Sequence, residues 1–313
     1  MLMIRFQRIG RTNDPAFRIV CIEKERAAKA GNIVELLGTY NPRSKALTLN
    51  EEQDLARALA SLAWCDERLV LDSGSTDATA AVARGLGVPV VEHRQAPPFR
   101  ISEQRNWALG QAGLRSDWVL FLDADEQVGP ELAAEIRRRI AAADAPDGFE
   151  LTPRYWFLGR WLKRTQGYPN WHPRLVRRGA LGFEGGVWEC FPAGAAVGRI
   201  PLPYEHYAFS KGLDDWLERH RRYASWDAER IVAFRRQGDA TALGTRRFVA
   251  LRALAARLWP LRPPLRFLQK YVLQGGWLEG WQALVFAGLM ASYDLMTVVK
   301  VIELRRRQRG LPL

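Results

Sequence analysis

The chain has few of the residues that build metal clusters and disulfide frameworks. Its 313 residues include three cysteines and four histidines. The spacing of Cys21, Cys65 and Cys190 matches no zinc-binding pattern, and an odd number of cysteines does not suggest a disulfide framework. We therefore expect a cytosolic protein whose thiols are reduced.

Long apolar segments are also missing. The opening residues, MLMIRFQRIGRT, have no apolar core, so no secretory signal is predicted there. No run of about 18 apolar residues occurs, and the nearest candidate, 281–302, is interrupted by Asp294 and Lys300. This pattern predicts a helix that lies at a membrane interface rather than one that spans the bilayer.

Acidic residues are in deficit, with 34 Asp and Glu against 46 Lys and Arg, and the net charge is +12. The excess positive charge lies at the two ends. Residues 231–313 carry 14 basic and 4 acidic residues, and residues 1–49 carry 9 and 4. Such ends attract phosphate-rich partners, either nucleic acid or anionic lipid.

Hydrophobic periodicity divides the chain into three parts. Residues 2–38 predict three short strands separated by turns. From residue 46, strands at 68–71, 88–91 and 118–122 alternate with helices, which predicts an α/β fold with a mostly parallel sheet and helices on both faces. From residue 210 the pattern is helical. The expected units are a β-rich segment over 1–45, an α/β domain over 46–209 and basic amphipathic helices over 210–313.

Small and acidic residues follow the strand predicted over 68–71. In open α/β sheets ligands bind beyond the carboxyl ends of the strands, so Asp72 could accept hydrogen bonds from a base or ribose. Gly74 would allow a ligand to approach closely. The alternative is a plain capped turn, in which Asp77 only caps the next helix.

A second apolar strand ends in three acids within four residues, Asp123, Asp125 and Glu126. Two carboxylates this close repel each other unless a cation joins them. Mg²⁺ and Mn²⁺ prefer oxygen ligands and commonly bridge protein carboxylates to substrate phosphates. Such an ion would stabilise a departing diphosphate as a Lewis acid. The alternative is a solvated acidic turn.

These motifs resemble those of family-2 glycosyltransferases of the GT-A fold. The matching segments are LNEE at 49–52, LDSGSTD at 71–77, LDADE at 122–126, QRNW at 104–107, PRLVRR at 173–178, and Tyr271 with 275–280. The resemblance covers about residues 47–310 and is greatest to the lipopolysaccharide-core β-1,4-glucosyltransferase branch. It implies inverting transfer of a sugar, glucose, from a UDP-sugar to a lipid-linked or lipopolysaccharide-core acceptor.

The resemblance also implies roles for individual residues and a cofactor, Mg²⁺ or Mn²⁺. Asp123, Asp125 and His206 would serve the metal. The donor would be bound by Asn50, Glu51, Asp72, Ser75, Asp77, Arg105, Asn106, Asp123 and Arg174. Two alternatives stay open. His206 could instead be a structural residue. The basic group Arg174, Arg177 and Arg178 could bind phosphates or form a solvated basic strand.

An inverting transfer needs a base that deprotonates the acceptor hydroxyl as it attacks the anomeric carbon. The family carries a His-Glu pair where this chain has Trp188 and Glu189, so the resemblance makes Glu189 the candidate base. A surface glutamate beside an aromatic residue is the alternative interpretation, and Glu184 is a rival for the same role.

Basic helices end the chain, with Arg residues mixed among Leu, Trp and Phe over 243–309. Such helices suit an anionic membrane surface, which would locate the enzyme peripherally at the inner face of the cell membrane. The alternative is helix packing with a solvated basic face. Nucleic-acid binding by this end is less favoured, because no recognised reading motif accompanies the charge.

The amino terminus resembles a different family, bacterial small-subunit ribosomal protein sixteen. The matching segments are MIRFQRIG at 3–10, PAFRIVC at 15–21 and VELLGTYNPR at 34–43. In a complete protein of that family Arg5, Arg8, Arg11, Arg18 and Arg43 would contact ribosomal RNA phosphates. The chain is thus predicted to be a fusion, in which 46–49 is the candidate for the first strand of the transferase. A ribosomal RNA-binding protein or an inactive fusion is the alternative function.

Overall fold

A computed structural model describes the backbone of residues 2–8, 17–23, 35–41 and 46–49, and the chain from 52 to 313 except 76, 97–98, 186–188 and 238–255. Side chains are described from Asp54 onward. The predictions for Asn50, Glu51 and Trp188, and residues 238–255 of the predicted carboxyl-terminal helices, lie outside these residues.

The first sheet is an antiparallel meander of four strands, paired in chain order. Its strands are β1 (Leu2–Arg8), β2 (Phe17–Glu23), β3 (Glu35–Asn41) and β4 (Ala46–Leu49). β4 was predicted to open the transferase sheet. It pairs instead with β3, in a register that joins Gly38 to Leu49 and Asn41 to Ala46.

The α/β part begins with short strands alternating with helices. Its elements are α1 (Glu52–Ser61), β5 (Val70–Asp72), α2 (Thr79–Gly85), β6 (Val90–Glu92), α3 (Ile101–Gln111) and β7 (Trp118–Leu120). β5 and β6 pair in parallel. The apolar face of α1, with Leu55 and Leu59, packs on Ala83 and Val88 and buries one side of this pair.

The larger sheet has the order β7-β11-β9-β12-β8, with β10 beside β9. Its remaining elements are β8 (Glu126–Gln127), α4 (Pro130–Ile140), β9 (Gly148–Phe157), β10 (Arg160–Trp161), β11 (His172–Arg177) and β12 (Val197–His206). Leu132 and Ile136 of α4 pack against Phe149 and Leu151 of β9, which forms the main core.

The predicted fold class is confirmed as an α/β fold, but its sheet is less parallel than expected. β9 and β12 are parallel, whereas the pairs β7–β11, β11–β9, β12–β8 and β10–β9 are antiparallel. Part of the reason is local. The turn between β9 and β10 is only Leu158 and Gly159, both at positive φ, and so short a turn joins antiparallel strands, since parallel neighbours need a crossover of about a dozen residues.

No ladder joins β5 and β7 in the part of the chain described. Side chains join them instead. Before the strands, the Glu67 carboxylate accepts hydrogen bonds from the backbone N–H groups of Arg115 and Ser116. Beyond the strands, adjacent residues of α3 reach one strand end each, since Gln104 donates to Ser73 and Arg105 to Asp123.

The carboxyl-terminal part is helical, as predicted. It contains α5 (Gly212–Gln237), a 3₁₀ turn (Trp259–Leu261), α6 (Arg262–Phe267) continuing into a π-helical segment (Leu268–Leu273), a second 3₁₀ turn (Gly276–Glu279) and α7 (Trp281–Gln308). α7 packs against both α5 and α6. Its first half also covers the β9–β10 hairpin, where Phe286 meets Phe157.

By length and composition α7 could cross a membrane, because it has 28 residues and its most apolar stretch has a mean hydropathy of 1.6. One-third of that stretch is buried in the protein. Asp294 and Lys300 interrupt the apolar run, but the mean hydropathy of the helix stays high despite them. A buried helix of a soluble protein meets the same criterion, so packing must distinguish the two.

Candidate active site

The acidic residues after β7 form a tight, self-bonded turn. The Glu126 N–H donates to the Asp123 carbonyl at 2.9 Å, and the Asp123 N–H donates to Glu126 Oε2 at 2.8 Å. Glu126 is fully buried and pairs across the sheet with His206 of β12. The turn therefore faces Asp123 and Asp125 towards one end of the sheet and fixes them beside the end of β12.

Arg174 of β11 holds the base of this turn. Its buried guanidinium contacts Asp123 Oδ2 at 3.1 Å and Glu126 Oε1 at 2.6 Å. Burial alone would raise the pKa of Asp123, but Arg174 and Arg105 outweigh it and hold the pKa far below its usual range. Burial raises the pKa of Glu126 to about 7 although Arg174 opposes the rise.

Asp125 and His206 lie side by side, with His206 Nε2 at 3.5 Å from Asp125 Oδ2. Burial raises the pKa of Asp125, but His206 more than offsets it, so the pKa is lowered. Burial likewise lowers the pKa of His206, whereas Asp125 and Glu126 raise it by a larger amount. The buried Nδ1 of His206 has no hydrogen-bond partner in the described chain.

This donor set fits a divalent cation that takes most of its ligands from substrate. Among the described residues no group of three or more acidic, His or Cys side chains could hold a metal alone. Mg²⁺-type ions are commonly bound by one or two carboxylates together with substrate phosphates and water. Asp125 and His206 can supply that protein share, while the oxygens of Asp123 are already bonded to Arg174 and Arg105.

Arg105 of α3 joins the acidic turn to the candidate base. Its Nη1 lies 2.5 Å from Glu189 Oε1, and its Nη2 lies 3.3 Å from Asp123 Oδ1. The guanidinium is buried between the rings of Phe121 and Phe183. The sequence predicted a donor ligand at Arg105. In the structure its two terminal nitrogens bond protein carboxylates, and the donor-binding role stays a prediction.

Glu189 has the environment that a general base requires. Its side chain is 8% exposed, and its Oε2 is buried without a hydrogen-bond partner in the described chain. Burial raises the pKa of the Glu189 carboxyl, and Arg105 offsets only part of that rise. The rival Glu184 is exposed to solvent and contributes a backbone bridge to Cys190.

Asp72 lies buried at the end of β5. It accepts hydrogen bonds from the backbone N–H and the hydroxyl of Ser75 at 2.9 and 2.6 Å. Burial raises the pKa of Asp72, but these bonds and one from the Gly74 N–H lower it overall. Asp77 accepts a hydrogen bond from the Thr79 N–H, so its side chain bonds the first backbone N–H of α2.

The neighbours of Arg105 on α3 also hold protein groups in place. Gln104 Nε2 donates to Ser73 Oγ and to the His93 carbonyl, which links β5 to β6. Asn106 exchanges two hydrogen bonds with the backbone of Phe183. A side chain at Gly182 would come within 2.9 Å of Asn106 Oδ1, so this close approach requires glycine.

Of the three arginines predicted on β11, only Arg174 joins the site. Arg177 pairs across the sheet with Trp118, at the start of β7, and its guanidinium stacks on that ring. Arg178 donates to the carbonyls of Arg115 and Ser116. Both therefore lie at the opposite end of the strands from the carboxylates, because β7 and β11 run antiparallel.

Sequence reasoning gave no role to Glu126 or Gln104, although both stand inside motifs that it singled out. The third acid of LDADE carried a signal, since a carboxylate beside two others needs a cation of its own. Tyr155 and Tyr204, which contact His206 and Arg174, carried none that distinguishes them from core aromatics.

Two family models match the chain. Residues 47–197 match glycosyl transferase family 2, and residues 8–58 match ribosomal protein S16. The first covers the acidic turn, α3 and Glu189. The two matches overlap over 47–58, which includes most of β4 and the first part of α1.

Similar proteins divide in the same way. The lipopolysaccharide core biosynthesis glycosyltransferase LpsC of Rhizobium meliloti is 26% identical over 82% of this chain and 90% of its own length. An uncharacterised glycosyltransferase of Rickettsia conorii is 41% identical over 29% of this chain and 30% of its own. Small ribosomal subunit protein bS16 of Acidobacterium capsulatum is 44% identical over 17% of this chain and 65% of its own.

The fold and the carboxylate site, together with these matches, define the chain as a glycosyltransferase. Residues 47–197 match family 2, and the segment before them is similar to ribosomal protein S16.

Proposed function

We propose that the protein is a metal-dependent inverting glycosyltransferase that moves a sugar, glucose, from a UDP-sugar to a lipid-linked acceptor of the lipopolysaccharide core. One observation supports this most directly. A single buried guanidinium, that of Arg105, joins Asp123 of the acidic turn to Glu189, whose second oxygen is free to accept a proton.

The donor would lie across the carboxyl ends of β5 and β7. Asp72, with Ser75 and Asp77 in the same loop, would bind the nucleoside, and Asn50 and Glu51 are assigned to it by family resemblance alone. Asp125 and His206 would hold Mg²⁺ or Mn²⁺, and Asp123 would contact the ribose or the metal-bound diphosphate. When bound, the cation supplies Lewis-acid stabilisation of the leaving diphosphate.

The acceptor would enter from the side of Glu189. Its hydroxyl oxygen attacks the anomeric carbon while the hydroxyl proton passes to Glu189 Oε2, and the bond from that carbon to the UDP oxygen breaks with its electron pair leaving on UDP. Attack opposite to the leaving group inverts the anomeric centre. Arg105 fixes the distance between Glu189 and Asp123, so both ends of this displacement are positioned by one residue.

The acceptor class and location rest on two supports. LpsC, similar to this chain over most of both lengths, is described as acting in lipopolysaccharide core biosynthesis. The basic helices at the carboxyl terminus suit the anionic inner face of the cell membrane. A cytoplasmic enzyme peripheral to that membrane would meet both a soluble UDP-sugar and a lipid-linked saccharide.

UDP release from UDP-glucose in the presence of a lipopolysaccharide-core acceptor, measured with Mn²⁺ or Mg²⁺ and then with chelator, tests the proposal. Chelation should abolish release. Glu189→Gln should lower kcat about 10²- to 10⁴-fold while the donor KM stays within a few-fold, because the base acts on the acceptor. Asp125→Asn should raise the metal concentration needed for half-maximal rate. Metal-independent release, or a Glu189→Gln enzyme as fast as the wild type, would refute it.

A second candidate function has its own observation. Residues 8–58 match ribosomal protein S16, and the first strands form a four-stranded antiparallel sheet. Binding of ribosomal RNA by this segment would appear as co-sedimentation with small subunits at moderate salt. Absence of the protein from the subunit fraction would exclude it.

A further inference from the structure

The largest apolar surface of the described chain lies on the carboxyl-terminal helices. Large hydrophobic side chains are exposed at 21 positions, and 16 of these fall between Leu258 and Leu313. Monomeric soluble proteins rarely expose contiguous apolar patches of this kind unless the patch binds a partner. The rest of the residues with described side chains, about three times as many, has only five such positions.

These side chains form two stripes on neighbouring helices. Along α6 and the π-helical segment the exposed residues follow helical spacing at Leu261, Leu265, Leu268 and Val272. Along α7 they recur at Trp281, Leu284, Val285, Leu295, Val299 and Ile302. The helices pack against each other, and the turn between them adds Leu273, Trp277 and Leu278. We treat the two stripes and this turn together as the apolar face of the hairpin.

α7 is apolar on its buried and on its exposed side. A helix that is apolar all round is normally enclosed by protein or lipid, whereas a surface helix exposes charged residues. The buried side of α7 is occupied by protein, through Ala283, Phe286, Ala287, Tyr293 and Thr297. Its outer side therefore requires a second apolar partner.

Charge decides between a lipid surface and a second copy of the chain. Residues 256–313 hold nine Lys or Arg and three Asp or Glu, a net charge of +6. Arg306, Arg307 and Arg309 are exposed at the end of the apolar face. Two such faces packed together would bring like charges close, whereas anionic headgroups would neutralise them. Trp277 and Trp281, exposed at the turn, are of the type that favours the membrane interface.

Packing also decides how the hairpin meets the bilayer. Asp294, midway along α7, is buried and bonded to Arg262 at 2.7 Å and Arg266 at 2.8 Å. The Tyr293 hydroxyl donates to Asp227 of α5 at 2.7 Å, so α7 is joined to α5. α5 carries eleven Lys, Arg, Asp or Glu residues within its 26, and this charge would be costly in hydrocarbon.

We propose that the hairpin of α6 and α7 lies flat in the headgroup region of an anionic bilayer, its apolar face buried in one leaflet, and that α7 does not span the membrane. This proposal specifies how the protein would meet the membrane named in the proposed function. It depends on that function only for the biological reason to bind a membrane. The docking itself requires no catalysis.

Sedimentation of the full-length protein with lipid vesicles tests the proposal. The wild type should bind phosphatidylcholine vesicles that contain phosphatidylglycerol, bind phosphatidylcholine alone weakly, and lose binding as salt rises. Leu273→Glu with Trp277→Glu should lower the vesicle affinity at least about tenfold, because two exposed apolar side chains no longer enter the leaflet. Alkaline carbonate should release the bound protein, as it does for proteins that do not span a bilayer.

The control is Leu86→Glu with Leu213→Glu, which places the same charges at exposed leucines outside the hairpin. This control should bind vesicles like the wild type. Metal-dependent UDP release without vesicles should be unchanged in both variants, so a failure of docking is distinguishable from a failure of the proposed reaction. Vesicle binding equal in wild type and hairpin variant, carbonate-resistant binding, or a dimer dispersed by the hairpin variant without any vesicle binding would overturn the proposal.

Discussion

Among the described residues, Glu126 has two cationic partners within ion-pair distance, Arg174 and, when it is protonated, His206. Replacing Arg174 by Met removes the permanent one. Glu126 is fully buried, so its carboxylate would lose its strongest compensation. Breaking a buried ion pair by removing one partner costs about 3–5 kcal/mol. Asp123 keeps its contact with Arg105, so the loss of its contact with Arg174 adds little. We expect Arg174→Met to lower the free energy of unfolding by about 3–5 kcal/mol at pH 8.

The deficit should depend on pH in one direction. Burial raises the pKa of Glu126 from 4.5 to about 7, so the folded state holds this proton more tightly than the unfolded state does. The corresponding stability is present below pH 4.5 and is lost as the pH rises through about 7. Without Arg174 the pKa rises further, so the deficit should grow with pH, by at most about 1.4 kcal/mol per unit.

Urea unfolding at pH 5 and pH 8 measures both effects. Arg177→Met on the same strand is the control, because Arg177 lies partly exposed against Trp118 and Asp147 and should cost about 1 kcal/mol or less. Adding Glu126→Gln to Arg174→Met should restore about 1–3 kcal/mol, since no buried charge is left unpaired. A deficit below that of the control, or one that is larger at pH 5 than at pH 8, would refute the reasoning.

Three further predictions concern the site and the helices. The raised pKa of Glu189 should make kcat/KM fall as the pH drops through that pKa, and Glu189→Gln should remove this limb from the pH–rate profile. Asp72→Asn should weaken UDP binding about tenfold by calorimetry, because an amide accepts hydrogen bonds less strongly than a carboxylate. Asp294→Asn should lower the free energy of unfolding by about 3 kcal/mol in urea, since it leaves Arg266 without its buried anion and Arg262 with Asp227 alone, and a loss under 1 kcal/mol would count against that pairing.

The elements of the α/β part were predictable because each apolar run is short and ends in polar or turn-forming residues. The helices expected to alternate with these strands are observed, among them α3, Ile101–Gln111, and α4, Pro130–Ile140. Strand partners were less predictable, because pairing depends on contacts far apart in sequence. Nothing in the composition of Ala46–Leu49 distinguishes a strand that pairs with β3 from one that would pair with β5.

The site shows the same limit. Clustering of acids in LDADE predicted a carboxylate centre, since charge density is a local property of the sequence. The contacts of Arg105 with Asp123 and Glu189 join three distant segments, and no local pattern indicates which of the chain's many arginines becomes buried between them. Only a buried arginine is held between two carboxylates in this way, whereas an exposed one stays solvated. Burial follows from the tertiary fold.

The placement of β4 bears on whether a fusion of two families can keep a working site. β5 ends in Asp72, and β7 leads to Asp123. In the described chain no shared ladder joins these two strands. A right-handed crossover from β4 through α1 would set β4 beside β5, but its observed partner is β3. The strand ends are held instead by α3, where Gln104 bonds Ser73 and Arg105 bonds Asp123. Because this link passes through a helix and not through β4, the carboxylates can keep their spacing while β4 belongs to the amino-terminal sheet.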